Sequence, residues 1–89
     1  MKSDASTLMR ASFGRRTGAT ERAAAALRLL RNERNLDARS LSLAAGLPEY
    51  FISRVERNIK ALGFAEAVAI TGAMDITLQH LADKMEEML

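Results

Sequence analysis

Eighty-nine residues, with no cysteine and a single histidine, make one small domain with a modest core, without disulfide staples or a thiolate metal site. His80 alone builds no metal site, no apolar run approaches the roughly 20 residues of a membrane span, and no signal-peptide pattern opens the chain, so a soluble cytoplasmic protein is expected. The net charge of +2 hides an asymmetry, since residues 1–60 hold twelve Lys or Arg against six Asp or Glu and residues 61–89 hold one against five. A basic front and an acidic back suit a protein that turns one side to a polyanion, although basic residues also simply solvate helix surfaces.

Residues 1–19, MKSDASTLMRASFGRRTGA, lack sustained periodicity and are expected to form a flexible basic tail ahead of a domain spanning residues 20–89. Arg10, Arg15 and Arg16 make the tail either an arm for phosphates or a minor groove, or a leader without a role. Leu8, Met9 and Phe13 also allow a short docking helix around Thr7–Phe13. Thr20 reads as an N-cap, with Glu21 placed against the positive end of the helix dipole. Alanines 23–26 carry this first helix into LRLLRNER, where Leu27 and Leu30 face the core while Arg28 and Arg34 are solvated. Asn35 ends the helix, Leu36 tucks back, and Asp37 caps the next one.

The stretch ARSLSLAAGLPEYFISRVER, residues 38–57, reads as two short helices around a sharp turn. Leu41, Ala44 and Ala45 share one face at helical spacing. Gly46 stops the helix because glycine enters the left-handed conformation that a tight C-terminus needs. Leu47 plugs the turn, and Pro48 opens the second helix at a position that requires no N–H. Phe51, Ile52 and Val55 form its apolar face, which leaves Glu49, Tyr50, Ser53, Arg54 and Arg57 pointing outward.

Residues 62–74, LGFAEAVAITGAM, predict a fourth, mostly apolar helix in which Gly72 permits close helix contact. Thr77 caps the last helix, whose Leu78, Leu81, Ala82, Met85, Met88 and Leu89 make one apolar stripe. Leu78 and Leu81 complete the core, and a domain of this size has little core left for the rest. Leu78, Leu81, Met85, Met88 and Leu89 are therefore expected to form a homodimer seam rimmed by Lys84, Glu86 and Glu87; the alternative is that they lie on their own core.

The small Ser42 four residues before the turn glycine, and the run FISRVERN after it, resemble the Cro/CI-type (Xre-type) helix-turn-helix domains of phage repressors and small bacterial regulators. The resemblance implies an all-α, lambda-repressor-like five-helix domain with the helix-turn-helix at helices 2 and 3. It implies that Arg31 pairs with Glu56 in a partly buried contact that orients the reading helix. It also implies that Glu49, Tyr50 and Arg54 meet base edges. Arg54 brings a planar fork for guanine O6 and N7, and Tyr50 brings a ring and a hydroxyl. Glu49 either accepts from a cytosine amine or weakens binding. Arg39, Ser53, Arg57, Asn58 and Lys60 are the implied contacts to the DNA backbone, with plain solvation an equal alternative for Arg39. Phe51 replaces the usual tyrosine or threonine and reads as apolar filler. Asn58 replaces the usual glycine after the helix. Phe64, Val68, Ile70 and Met74 fall on core positions, and Asp75-Ile76 stand for the Gly-Val that ends the fourth helix in relatives.

The function implied is sequence-specific binding of double-stranded DNA by a dimeric repressor of its own or a neighbouring promoter. The operator would be palindromic, with half-sites roughly 34 Å apart. The alternative is a protein-interaction module on the same fold, an antitoxin or antiactivator whose partner is a toxin or an activator, with weak or no DNA binding. Glu49 at the reading face, Phe51 and the apolar residues of Leu8–Phe13 favour it. The sequence has no carboxylate pair with a pocket, no nucleophile–histidine pairing and no phosphate-cradling glycine loop, so no enzyme, cofactor, metal or membrane is expected.

Overall fold

The protein is described from a computed structural model that covers the backbone from Lys2 to Leu89 and the side chains of residues 18–89. Among the described residues the chain is all-helical, with α1 (Lys2–Glu33), α2 (Ala38–Ala44), α3 (Phe51–Glu56), α4 (Phe64–Ala73) and α5 (Leu78–Glu86). No helix among them is long and apolar enough to cross a membrane. The roles expected for Arg10, Arg15, Arg16 and the Thr7–Phe13 segment concern side chains outside the described residues. Thr20 is not an N-cap, because it lies inside α1, whereas a cap residue leaves the helical conformation. Propagation adds one hydrogen bond per residue fixed, so an alanine-rich run extends a helix in both directions without a new nucleus.

Four helices end in the same way. The residue after the last turn adopts a left-handed backbone at Asn35 (φ 54°), Gly46 (φ 75°), Asn58 (φ 61°) and Asp75 (φ 61°). The N–H of the following residue reaches five residues back in each case. Leu36 donates to the Arg31 carbonyl at 3.1 Å, Leu47 to Ser42 at 2.9 Å, Ile59 to Arg54 at 2.9 Å and Ile76 to Thr71 at 3.0 Å. This is the Schellman stop, which satisfies helix carbonyls that otherwise have no partner. The residue after each stop is apolar, and Leu36, Leu47 and Ile76 pack on the core. Ile59 is the exception and stays exposed.

At the helix starts, the Asp37 carboxylate accepts the Ser40 hydroxyl at 2.7 Å and the Ser40 N–H at 2.9 Å. Those two donors hold its pKa below the usual aspartate value. The Thr77 hydroxyl accepts the His80 N–H at 3.0 Å and caps α5. Tyr50 and Gly63, which precede α3 and α4, give no side-chain cap.

The core gathers Leu27 and Leu30 of α1, Leu41 of α2, Phe51, Ile52 and Val55 of α3, Ala67 and Ile70 of α4, Met74 and Leu81. α1 packs on α3 and α5, α2 on α3 and α4, and α4 on α5. Two expectations are corrected here. In α4 the buried stripe is Ala67, Ile70, Thr71 and Met74, while Phe64 (75 % exposed) and Val68 (47 %) point away from the core. A helix rotated to bury positions 67, 70, 71 and 74 turns 64 and 68 to its flank. Gly72 makes no close helix contact, since a Cβ added there meets nothing within 4 Å. On the α2 face shared by Leu41, Ala44 and Ala45, Leu41 is buried, Ala45 packs on the core and Ala44 is exposed, and Ser42 is buried beside Leu41.

Candidate nucleic-acid interface

Two contacts fix α3 to the rest of the chain. The first comes from Ser42, whose hydroxyl donates to the Ala38 carbonyl at 2.8 Å and accepts the Ile52 N–H at 3.1 Å. Ser42 and Ile52 are both fully buried. Ile52 lies in the first turn of α3, where backbone N–H groups have no partner within the helix, so Ser42 caps α3 from a neighbouring helix. The second is the Arg31–Glu56 pair. Arg31 Nε donates to Glu56 Oε2 and Nη2 to Oε1, both at 2.8 Å, while Nη1 donates to the Leu36 carbonyl at 2.6 Å. The Glu56 hydrogen bonds raise the Arg31 pKa above its ordinary value. A planar fork on a carboxylate fixes orientation as well as distance. Together the two contacts set the angle at which α3 leaves the core.

The second helix does not begin at Pro48. The Phe51 N–H donates to the Pro48 carbonyl at 3.0 Å, a bond spanning three residues, and regular α-helix starts at Phe51. Glu49 and Tyr50 therefore stand on the turn that leads into α3 rather than on the helix itself. Tyr50 is 60 % exposed, and Arg54 is exposed one turn further on. Glu49, Tyr50, Arg54 and Lys60 share a shallow depression with Pro48 and Phe51. Phe51 is buried, as filler should be, and its ring carries the Lys60 ammonium 5.6 Å from the centroid.

Arg39 Nε lies 3.0 Å from Glu49 Oε2, an ion pair that links the start of α2 to the turn before α3. Arg57, Asn58 and Lys60 are all exposed beyond α3. Arg39 pairs with the Glu49 carboxylate, Arg54 and Lys60 line the same depression as Glu49, and Arg57 is exposed just beyond α3. Ser53 is less available than its position suggests. Its hydroxyl donates to the Tyr50 carbonyl at 3.1 Å, so its one proton is already committed.

The residues expected at a dimer seam divide. Leu81 is 4 % exposed and buried in its own chain, so it is removed from any seam. Leu78, Met85 and Met88 pack half-buried against the same core, and Leu89 is 86 % exposed. Lys84 ties α5 back to α1 through Glu33 at 3.7 Å and also meets Glu87 at 3.4 Å. An apolar groove between α1, α4 and α5 is lined by Ala23, Leu62, Ala67, Leu78 and Met85, with the exposed Phe64 among its walls. Two features escaped sequence reasoning. The capping role of Ser42 left no signal beyond a small residue beside a turn. The Arg39–Glu49 contact joins opposite charges ten residues apart across a turn, where no helical spacing relates them. No family model matches the chain, and neither a curated protein nor a solved structure does so.

Proposed function

We propose that the chain is a Cro/CI-type helix-turn-helix regulator, a lambda-repressor-like domain that binds double-stranded DNA in a sequence-specific manner. In this reading α2 and α3 are the helix-turn-helix, and Tyr50, Arg54 and Glu49 enter the major groove. Arg57, Asn58 and Lys60 follow the phosphates. The protein acts in the cytoplasm as a homodimer on a palindromic operator, represses by occlusion and performs no catalysis. The observation that carries the reading is the pairing of a rigidly held α3 with unpaired cations. α3 is anchored by Ser42 and by the Arg31–Glu56 fork, and among the described residues Arg54 and Arg57 meet no carboxylate.

The test is titration of duplex DNA carrying the promoter of the chain's own gene, followed by fluorescence anisotropy at several salt concentrations. Arg54→Ala is expected to weaken binding about ten-fold or more, and removal of residues 1–19 is expected to leave it. Indifference to every duplex at low ionic strength overturns the reading. A second reading, a protein-interaction module on the same fold, draws support from the exposed Phe64 and Val68. It predicts a stable complex with a toxin or an activator in the absence of any DNA binding.

A further inference from the structure

We infer that Arg39 and Glu49 work as one reading element, in which Arg39 positions the Glu49 carboxylate to accept from the exocyclic amine of a cytosine in the major groove. The inference rests on the DNA-binding reading above and deepens it. A carboxylate that shares a depression with Tyr50, Arg54 and Lys60 faces phosphates of like charge. Alone, it lowers affinity for every sequence alike. Arg39 offsets that charge from 3.0 Å, so the carboxylate remains at the interface without repelling the duplex. An exposed ion pair adds little to stability, which leaves its geometry as its main consequence. It bridges two elements, the first turn of α2 and the turn before α3, and places the carboxylate in the depression that Arg54 also lines.

Both partners also stay open, with side-chain exposures of 67 % for Arg39 and 37 % for Glu49. Acceptor positions on the carboxylate and donors on the guanidinium remain for a ligand. Among the four bases, cytosine presents an amine in the major groove without an adjacent acceptor of its own. Adenine couples its amine to N7, guanine shows two acceptors, and thymine shows an oxygen and a methyl. A carboxylate held in place is repelled by each of those acceptors and matched by cytosine. Arg39 is then a positioning residue for Glu49 rather than a phosphate anchor.

The experiment is selection of binding sites from random duplex DNA by the full chain. Anisotropy titrations on the selected site and its single-base variants follow, for wild type, Glu49→Gln and Arg39→Ala. Wild type is expected to prefer cytosine at one position of each half-site by about ten-fold or more. Glu49→Gln should shift that position toward adenine, because an amide matches adenine N6 and N7, and should leave the base read by Arg54 unchanged. Arg39→Ala, with Glu49 intact, should lose most of the cytosine preference without a change in thermal unfolding. If both variants change affinity equally for all sequences, the pair is only a charge balance and the inference falls while the DNA-binding reading stands. If wild type selects no sequence at all, the reading itself falls and the inference with it.

Discussion

Ile52 is the second residue of α3, and its N–H points into the protein, where its own helix offers no acceptor. The Ser42 hydroxyl accepts it from α2 at 3.1 Å while donating its proton to the Ala38 carbonyl. Ser42→Ala removes the acceptor and leaves a buried N–H unpaired, which costs about 1–3 kcal/mol. For a domain of this size, with a total stability on the order of 5–15 kcal/mol, that is a large share. Urea unfolding is expected to show a lower midpoint with an unchanged slope, because the buried surface is the same. An unchanged midpoint would mean that water replaces the hydroxyl. In the sequence Ser42 is visible only as a small residue near a turn, since a hydrogen bond across ten residues and two helices has no periodicity. The Arg31–Glu56 fork joins residues 25 apart. It was legible only through the family resemblance, because no local pattern places those two positions together.

The helix stops were open to sequence reasoning, and the rotation of α4 was not. Asn35-Leu36, Gly46-Leu47, Asn58-Ile59 and Asp75-Ile76 each pair a residue that tolerates a left-handed backbone with an apolar one, a combination whose physical cause is local. By contrast, α4 is FAEAVAITGA, apolar around most of its circumference. Such a helix does not reveal which side faces the core. The contacts that chose Ala67, Ile70, Thr71 and Met74 over Phe64 and Val68 come from α2 and α5. Gly72 suggests a contact point for a different reason, since a glycine inside a helix costs about 1 kcal/mol against alanine and so implies a compensating close approach. It lies in the last turn of α4, exposed, with open space where a Cβ would go. Gly72→Ala is therefore expected to stabilise the protein by about 0.5–1 kcal/mol, through better helix propensity and a less flexible unfolded chain. Thermal unfolding should move up by about 2–8 °C. A fall in the midpoint would show that glycine is required there by something other than helix packing.

At the scale of the whole molecule, charge and oligomeric state meet in one measurement. The acidic residues beyond position 60 are Glu66, Asp75, Asp83, Glu86 and Glu87, and the cations of the proposed interface are Arg39, Arg54, Arg57 and Lys60. In the proposed reading these cations attract a polyanion. Each phosphate neutralised on binding releases counterions, so the logarithm of affinity falls with the logarithm of salt at about 0.9 per contact. Lys60 sits over the Phe51 ring beyond the end of α3 and is exposed, and the proposed reading assigns it to the DNA backbone. With Leu81 buried inside its own chain, the α5 seam proposed for a second copy consists of the open edges of Leu78, Met85 and Met88 together with the exposed Leu89. Whether that suffices is read by Lys60→Gln. If two copies sit on one operator, the substitution removes two phosphate contacts, and the salt slope should shrink by about 2. A monomer on the duplex would lose about 1. Titrations from about 50 to 200 mM salt resolve that difference, and a slope that does not move would place Lys60 away from the phosphates altogether.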